Sequence, residues 1–341
     1  MPKPTSRLLA VSLVFVLVVL VITGCAQKAG ESTKQETKKP EPIKFPTKPI
    51  TVIQGFKPGG GSDQLAQLIQ PRLEKILGQS FVNVYKPGAT GAIAWNELAT
   101  STKNDGYTIS ITNTPMLQAN YLLNPEHKYT VDMLEPIANI VTDPGVLVVK
   151  ADGPLKTWKD FVDKARENSG KVSVGNSGVG GDDYFNVILI EKLAGIKLNS
   201  VPFEGDGPSW QAALGGQIDA SSNNLAITYP MLKAGKLRAL AVYSDKRVPM
   251  LPDVPTLKEL GIDVVGGSSR GYSAPKGTPK EIIDILANAM EKVVNDPEFK
   301  KSAEELSVVI DFKKTDGYKS YLKTDETRMK QIIEEQKGKK Q

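Results

Sequence analysis

The sequence predicts an α/β fold made of two domains. From Pro46 onward, short runs of β-branched residues alternate with stretches of helical periodicity, as in sheets that carry helices on both faces. At one domain per about 150 residues, a chain of 341 residues is expected to form two. Two glycine-rich turns, Gly59–Gly61 and Gly175–Gly181, each join a predicted strand to a predicted helix. This alternation leads us to expect parallel strands.

The predicted strands are segments rich in β-branched and aromatic residues that are bounded by turn residues. In chain order they are Ile50–Phe56, Phe81–Tyr85, Tyr107–Asn113, Ile137–Val149, Val172–Ser177, Asn199–Phe203, Ile218–Ser222, Leu237–Tyr243 and Gly271–Ala274.

The predicted helices show apolar residues on one face or a start signal. Leu65, Leu68 and Leu73 share a face of Ser62–Leu77, and Ser62 is its expected N-cap. Thr157 and Asp160 form an expected capping box. The other helices are expected at Ala92–Thr102, at Met116–Leu123, from the residue after Thr157 to Asn168, and at Thr315–Gln336. Two more helices are expected to begin at Pro279 and at Pro297.

Composition excludes several classes of function. The formal charge is only +5, from 43 basic and 38 acidic residues, whereas a nucleic-acid binder normally shows a clustered basic face. One cysteine and one histidine exclude a disulfide framework within the chain and most zinc sites. They also leave little for acid–base catalysis, so we expect neither an enzyme nor a cofactor or metal site.

The first 45 residues are expected to lie outside the fold. Lys3 and Arg7 precede an uncharged apolar stretch, the layout of a signal peptide over residues 1–24. Ile22–Cys25 resembles the lipobox of bacterial lipoproteins, in which the cysteine is acylated and becomes the mature N-terminus. Residues 25–45 then form a lipidated Cys25 and a polar, Lys/Glu-rich tether that we expect to be disordered.

Both glycine-rich turns suit an anion. Glycine permits close approach of a ligand to the backbone, and the N-terminus of the following helix offers free N–H groups and a partial positive charge. Neither turn is a P-loop or a GxGxxG motif. Gly267–Gly271 fits the GxSxG spacing of hydrolases but precedes a strand and prolines instead of a helix. A cleft that holds a small carboxylate is therefore expected.

Several blocks resemble one family in order along the chain. The run Pro46–Ala66 (PTKPITVIQGFKPGGGSDQLA) resembles the opening of the tripartite tricarboxylate transporter receptors, the Bug-type extracytoplasmic solute-binding proteins. The other matching blocks are Lys86–Ala89 with Gly91, Asp105–Thr108, Leu214–Asp219, Gly235–Ala241, Leu251–Thr256 with Glu259 and Gly261, Ala274–Pro275 and Gly277–Pro279.

The resemblance implies a two-lobe fold of the type II periplasmic-binding-protein kind, with the ligand cleft between the lobes. It implies lobe 1 at residues 46–144 and 268–335, lobe 2 at 145–267, and a frayed end at 336–341. The chain would cross between lobes near Thr142–Leu147 and Val265–Tyr272.

The resemblance also implies a site and partners. A small carboxylate or amino acid would be held in the cleft and passed to the permease of a tripartite tricarboxylate transporter. The protein would be a monomer, exported and lipid-anchored at the outer face of the cytoplasmic membrane or in a periplasm. The implied ligand-binding residues are Gly59, Gly60, Gly61, Ser62, Asp63, Asn113 and Thr114 on one side and Ser177, Gly178, Gly180, Gly181, Asp206 and Asn223 on the other.

The chain has acidic residues that the family pattern lacks, and they leave the identity of the ligand open. Where many members have a serine and later a histidine after the second turn, this chain has Gly181 and Tyr184, with Asp182 and Asp183 between them. Glu204 and Asp206 follow the next strand. Acids facing the cleft would repel a di- or trianion and suit an ammonium group. Alternatively, they face solvent or cap helices.

The sequence is also compatible with two other functions. The same two lobes could sense a ligand for a signalling receptor instead of a permease. An enzyme in the cleft would have to rely on carboxylates such as Asp63, Asp182 or Asp206, and is the weakest alternative.

Overall fold

Strands and helices alternate along the chain as the periodicity predicts. A computed structural model describes residues 43–203, 205–306 and 308–338. The predicted signal peptide, Cys25, most of the tether, Glu204 and the last three residues lie outside that range. The described strands are β1 Ile50–Gln54, β2 Phe81–Tyr85, β3 Thr108–Thr114, β4 Leu134–Lys150, β5 Ser173–Asn176, β6 Asn199–Pro202, β7 Ala220–Asn224, β8 Leu237–Tyr243, β9 Gly267–Pro275 and β10 Val309–Lys314.

The helices begin and end close to the predicted positions. Thr157 and Asp160 form the predicted capping box, in which the Asp160 amide donates to Thr157 Oγ1 and the Thr157 amide to Asp160 Oδ2. The described helices are α1 Gly61–Leu77, α2 Ala92–Thr100, α3 Met116–Leu123, α4 Trp158–Glu167, α5 Asp182–Ala194, α6 Asp206–Leu214, α7 Leu225–Lys233, α8 Lys280–Asn295, α9 Pro297–Glu305 and α10 Thr315–Gly338. Among the described residues, none of these helices combines the length and apolar character needed to cross a membrane.

The sheet is mixed, so the expectation of parallel pairing was wrong in part. The strands follow the order β2-β1-β3-β9-β4-β7-β5-β6, with β8 and β10 also paired to β4. β1 pairs in parallel with β2 and β3, and β5 with β6 and β7, whereas β4 and β9 are antiparallel to their neighbours. The reason is that β9 and β4, which run in opposite directions, lie between the two groups of parallel strands.

β4 belongs to two regions of the sheet. Residues Leu134–Pro144 pair with β9, while Gly145–Lys150 pair with β8 and, in part, with β7. This change of partners lies within the predicted crossing segment Thr142–Leu147. We call β1, β2, β3, β9, β10 and the first half of β4 the first sheet region. We call β5–β8 and the second half of β4 the second sheet region.

The return crossing requires glycine. Gly267 starts β9 with φ +150°, and a Cβ there would lie 2.2 Å from the Asp143 carbonyl oxygen. Beside it, the Gly145 amide donates to Gly266 O at 2.9 Å. The two crossing strands are therefore in backbone contact where they leave one sheet region for the other.

Each sheet region has its own apolar core. One core packs α1 and α8 on the first region, around Ile69, Ile109 and Met290. A second core packs α4 and α5 on the second region, around Phe161 and Val174. β10 was not predicted, because its residues are half-buried and lack a continuous apolar run.

A smaller apolar cluster joins helices from both sheet regions. Phe185 and Ile188 of α5 pack with Met329, Ile332 and Ile333 of α10 and with Ala119 of α3. We call this set the α5–α10 cluster. It is a contact between the regions in addition to the two crossing strands.

Candidate ligand-binding site

The turn between β1 and α1 is held by its own side chains. Gly60 is the N-cap of α1 and the helix begins at Gly61, so the prediction that Ser62 is the N-cap was wrong. Ser62 lies in the first turn, where its hydroxyl donates to Asn113 Oδ1 at 3.1 Å and accepts from Asn113 Nδ2 at 2.9 Å. Asn113 and Thr114 end β3 and are buried. The first turn and the end of β3 therefore meet, as the predicted site requires.

Asp63 holds the first turn in place. Its Oδ2 accepts from the Gly59 amide at 2.8 Å and from Gln67 Nε2 at 2.9 Å, and its Oδ1 accepts from the Tyr85 hydroxyl at 2.6 Å. Both oxygens are therefore engaged within the protein. Asp63 therefore fixes the turn, while the first backbone N–H groups of α1 have no partner within the helix.

Arg270 of β9 lies directly against the start of α1. An added Cβ at Gly61 would lie 2.4 Å from the Arg270 Cζ. The guanidinium is 5% exposed and its Nη1 is 3.3 Å from Asp143 Oδ2. Its Nη2 donates to Asn224 Oδ1 at 2.8 Å. Its Nε has no partner in the described part of the chain.

Arg270 connects the starts of two helices through Asn224. The Asn224 side chain donates to Asp182 Oδ2 at 2.5 Å, and Asp182 is the first residue of α5. The other oxygen of Asp143 accepts from the Ala226 amide at 3.0 Å. The starts of α1, α5 and α7 are thus tied to one buried ion pair at the level of the crossing strands.

The second glycine-rich turn carries Ser177, Gly178, Gly180 and Gly181 of the predicted site. The Gly178 amide donates to Asn176 Oδ1 at 3.0 Å, and Gly181 is the N-cap of α5. A Cβ at Gly180 would meet Leu123 at 3.3 Å and Asn120 at 3.7 Å. The turn therefore lies against α3, the helix that follows β3 of the first sheet region. The Ser177 hydroxyl is buried without a partner in the described residues.

Asp182 and Asp183, two of the extra acids, do not face solvent. Asp182 is 4% and Asp183 0% exposed, so the solvent-facing alternative is wrong for both. Burial raises the pKa of Asp143 to about 6, although Arg270 opposes the shift. Burial and the charge of Asp206 raise the pKa of Asp182 to about 7. Burial, Asp182 and Asp206 hold the pKa of Asp183 well above its usual range.

Asp206 and Asn223 belong to the same group of side chains as Asp183. Asp206 begins α6, and its Oδ1 is 3.5 Å from Asn223 Nδ2. Asp183 Oδ1 is 3.5 Å from the Ser222 hydroxyl. The structure thus groups the predicted residues Asp206 and Asn223 with the acids at the start of α5.

Arg270, Asp143 and Asn224 are not among the residues that the sequence predicts for the site. Arg270 is a charged residue inside a strand of small residues, and Asp143 interrupts a long apolar run. A charge inside a buried strand needs a partner, and this is the signal that could have found the pair.

We expect Gly61→Ala to lower the free energy of unfolding by about 1–3 kcal/mol, since the added methyl would displace a buried side chain. The guanidinium could move away only by leaving Asp143 and Asn224. Urea unfolding measures the change. Gly207→Ala is the matched control, because Gly207 also lies in a first helical turn and an added Cβ there meets nothing within 4 Å. Equal stabilities of the two variants would contradict the expectation.

We expect the ligand-free protein to lose stability as the pH rises from about 5 to 8. An acid with a raised pKa in the folded state binds its proton more tightly there than in the unfolded chain, so deprotonation favours unfolding. Asp143 and Asp182, with pKa values of about 6 and 7, titrate in this window. Thermal unfolding at several pH values measures the slope.

Asp182→Asn should make that slope shallower. Asp152→Asn, which alters a carboxylate that is 77% exposed, should leave it unchanged. A stability that stays constant or increases from pH 5 to 8 would rule out the buried ionisations.

The family of the chain is evident from matches over most of its length. The model of the "Tripartite tricarboxylate transporter family receptor" matches residues 65–337. A Cupriavidus necator protein named "UPF0065 protein in gbd 5'region" is 32% identical over 291 residues, 85% of this chain and 88% of that protein. "Protein BugT" of Bordetella pertussis is 31% identical over 245 residues, 71% of this chain and 75% of that protein.

Solved structures of similar proteins share the fold. "Structure of a periplasmic transporter" describes one that is 31% identical with a TM-score of 0.80, over 86% of this chain and 98% of the other. A Rhodopseudomonas palustris protein with adipate is 27% identical with a TM-score of 0.80, over 85% and 97% of the two chains. MatC from the same species, with bound malate, is 26% identical with a TM-score of 0.76, over 85% and 100%.

The predicted two-lobe fold class is confirmed by these neighbours, which are periplasmic binding proteins of this type. The lobe bounds and the individual site residues stay predictions. The chain belongs to the tripartite tricarboxylate transporter receptor family of solute-binding proteins.

Proposed function

We propose that this protein captures a small carboxylate between its two lobes and delivers it to the permease of a tripartite tricarboxylate transporter. The observation that carries the proposal is the start of α1, where Asp63 orients the glycine turn and Arg270 lies against Gly61. Backbone N–H groups and a guanidinium are the groups that bind carboxylates best. The malate and adipate named for two related structures support this class of ligand.

The proposed carboxylate contacts come from both sheet regions. On the first side, the amides of the turn and the polar end of β3 approach the ligand. On the second side, the amides at the start of α5 and the polar end of β7 approach it. The proposed ligand-binding residues are Gly59, Gly60, Gly61, Ser62, Asn113, Thr114, Ser177, Gly178, Gly180, Gly181, Asp206 and Asn223, with Asp63 as the residue that orients the first turn.

The proposed function involves no catalytic step. The family is one of solute-binding receptors. Among the described residues, no group of three His, Cys, Asp or Glu side chains is arranged as a metal site. Closure of the lobes around the ligand is then the signal that the permease recognises.

We expect a carboxylate ligand to raise the melting temperature of the purified full-length protein by a few degrees. At a hundredfold excess over the dissociation constant, binding to the folded state adds about 2.7 kcal/mol of stability, which moves the midpoint by several degrees. Tryptophan fluorescence during heating with malate, succinate, adipate, citrate, aspartate and glutamate measures the shift.

Arg270→Gln should remove the shift, because it takes the guanidinium away from the start of α1. Arg247→Gln is the matched control, since that arginine is 44% exposed and pairs with Glu259. If no carboxylate stabilises the unaltered protein, or if both variants respond alike, the proposed site is wrong.

We also propose that Cys25 anchors the protein through a lipid at the membrane surface after export. The resemblance of Ile22–Cys25 to a lipobox supports the anchor.

We expect Cys25→Ser to move the protein from the membrane fraction of an expressing bacterium to the soluble fraction, because acylation needs the thiol. Immunoblots of both fractions measure this, and a variant that stays with the membrane would contradict it. Cys25 is the only cysteine, so metabolic labelling with a fatty acid should also be lost.

A further inference from the structure

Hydroxyl-bearing side chains form a row across the first sheet region, under α10. Thr114 of β3 is opposite Ser269 of β9 in strand register, and Ser269 is opposite Thr142 of β4. Side chains that are opposite each other on neighbouring strands share a face of the sheet. Tyr321 of α10 lies against Thr114 and Ser269, and Asp311 of β10 lies against Thr142. We call these five side chains the hydroxyl row.

The hydroxyl row is connected by hydrogen bonds from one end to the other. Thr142 Oγ1 is 2.7 Å from Asp311 Oδ2 and 2.7 Å from Ser269 Oγ. The Tyr321 hydroxyl is 2.8 Å from Ser269 Oγ and 3.3 Å from Thr114 Oγ1. Thr114 is the last residue of β3. The hydrogen bonds therefore lead from β10 to the end of a strand that belongs to the proposed ligand site.

Only one direction of donation satisfies all four hydrogen bonds. A hydroxyl group has one proton to donate, whereas a carboxylate only accepts. Asp311 accepts from Thr142, so Thr142 has no second proton for Ser269. Ser269 must therefore donate to Thr142. For the same reason Tyr321 donates to Ser269, and Thr114 donates to Tyr321.

This direction makes the Thr114 hydroxyl an acceptor toward any further partner. Burial raises the pKa of Tyr321, so the phenol keeps its proton at neutral pH. The single proton of Thr114 points to Tyr321, and within the described residues Thr114 Oγ1 forms no other hydrogen bond. A hydroxyl oxygen has two lone pairs, and these are what the side chain can still offer.

We propose that Tyr321 is a positioning residue that determines which hydrogen bonds the ligand site accepts. As part of the hydroxyl row it holds the Thr114 proton away from the ligand, so that Thr114 accepts a proton from a ligand O–H or N–H group. This inference rests on the proposed function, because it takes Thr114 as a ligand-binding residue. It adds a selection between carboxylates by residues outside the proposed binding set.

The test measures how much a hydroxyl group on the probe improves binding. The pairs of probes are propionate and lactate, succinate and malate, glutarate and 2-hydroxyglutarate, and tricarballylate and citrate. Calorimetric titration of the purified full-length protein at pH 7.5 gives the two dissociation constants of each pair, and their ratio is the hydroxyl preference. We expect a preference of about threefold or more in at least one pair, which corresponds to one net hydrogen bond.

Tyr321→Phe should remove the hydroxyl preference, a fall of about threefold or more, because the Thr114 proton is then free to turn toward the ligand. A purely structural effect would weaken both members of a pair alike. Tyr318→Phe is the matched control. It removes another buried hydroxyl of α10, one that is 2.9 Å from Thr112 Oγ1, and should leave the preference unchanged.

Asp311→Asn tests the direction of donation at the far end of the hydroxyl row. The variant keeps the shape of the side chain, but its amide is able to donate to Thr142, so the direction is no longer fixed. The hydroxyl preference should fall as in Tyr321→Phe, and this variant serves if Tyr321→Phe does not fold. Asp311 also pairs with Lys313. Lys313→Gln removes that ion pair, keeps the carboxylate, and should keep the preference.

A double-mutant cycle shows whether Tyr321 acts through Thr114. Thr114→Val removes the proposed acceptor and should itself abolish the hydroxyl preference. Adding Tyr321→Phe to it should then change the preference no further, because coupled residues are not additive. Thr114→Ser, which keeps a hydroxyl, should keep the preference.

The outcomes separate this inference from the proposed function. If probes bind without any hydroxyl preference, or if the preference survives in Tyr321→Phe or Asp311→Asn, the inference is wrong and the proposed function stands. The same holds if Tyr318→Phe loses the preference equally, or if Tyr321→Phe still changes it in the Thr114→Val background. If no probe binds the unaltered protein, the proposed function is wrong and the inference falls with it.

Discussion

The ion pair between Arg270 and Asp143 is the interaction on which the rest of the proposed site depends. Both side chains are at most 5% exposed, and both are bound to the start of α7, Arg270 through its N-cap Asn224 and Asp143 through the Ala226 amide. Removing one partner of a buried pair typically costs about 3–5 kcal/mol, because the other charge stays buried alone. The pair sits where the crossing strands leave one sheet region for the other, so its geometry sets how the starts of α1, α5 and α7 face each other.

The two glycine-rich turns look alike in sequence but differ in charge. Each ends at the start of a helix, whose free N–H groups attract negative charge. At α1 the nearest buried charge outside the helix is the Arg270 guanidinium, which strengthens that attraction. At α5 the first two residues are Asp182 and Asp183, so the protein's own carboxylates already occupy the positive end. The starts of α1 and α5 therefore have side chains of opposite charge beside them, although both follow the same backbone motif.

Local sequence patterns predicted most of the helices and strands. The features that these patterns missed depend on contacts between residues far apart in the chain. The capping box at Thr157 and the helix after Gly60 depend on neighbours within four residues, so the sequence alone shows them. Arg270 and Asp143 are 127 residues apart, and no local pattern indicates that they meet. The same holds for the mixed sheet, in which β10 joins β4 from the far end of the chain. Ser62 was misassigned as a cap because its partner, Asn113, is 51 residues away.

The α5–α10 cluster has a mechanical consequence for the lobes. Two adjacent strands, such as β4 and β9, act as a hinge that permits rotation about the line they share. An apolar contact away from that line opposes the rotation. Rotation would expose Phe185 and Ile188 to water, at a cost of about 25 cal/mol per Å² of apolar surface. We therefore expect α10, which holds none of the proposed ligand-binding residues, to contribute to the balance between an open and a closed form. Ligand affinity, which includes the free energy of closure, can therefore evolve through α10 while the binding residues stay the same.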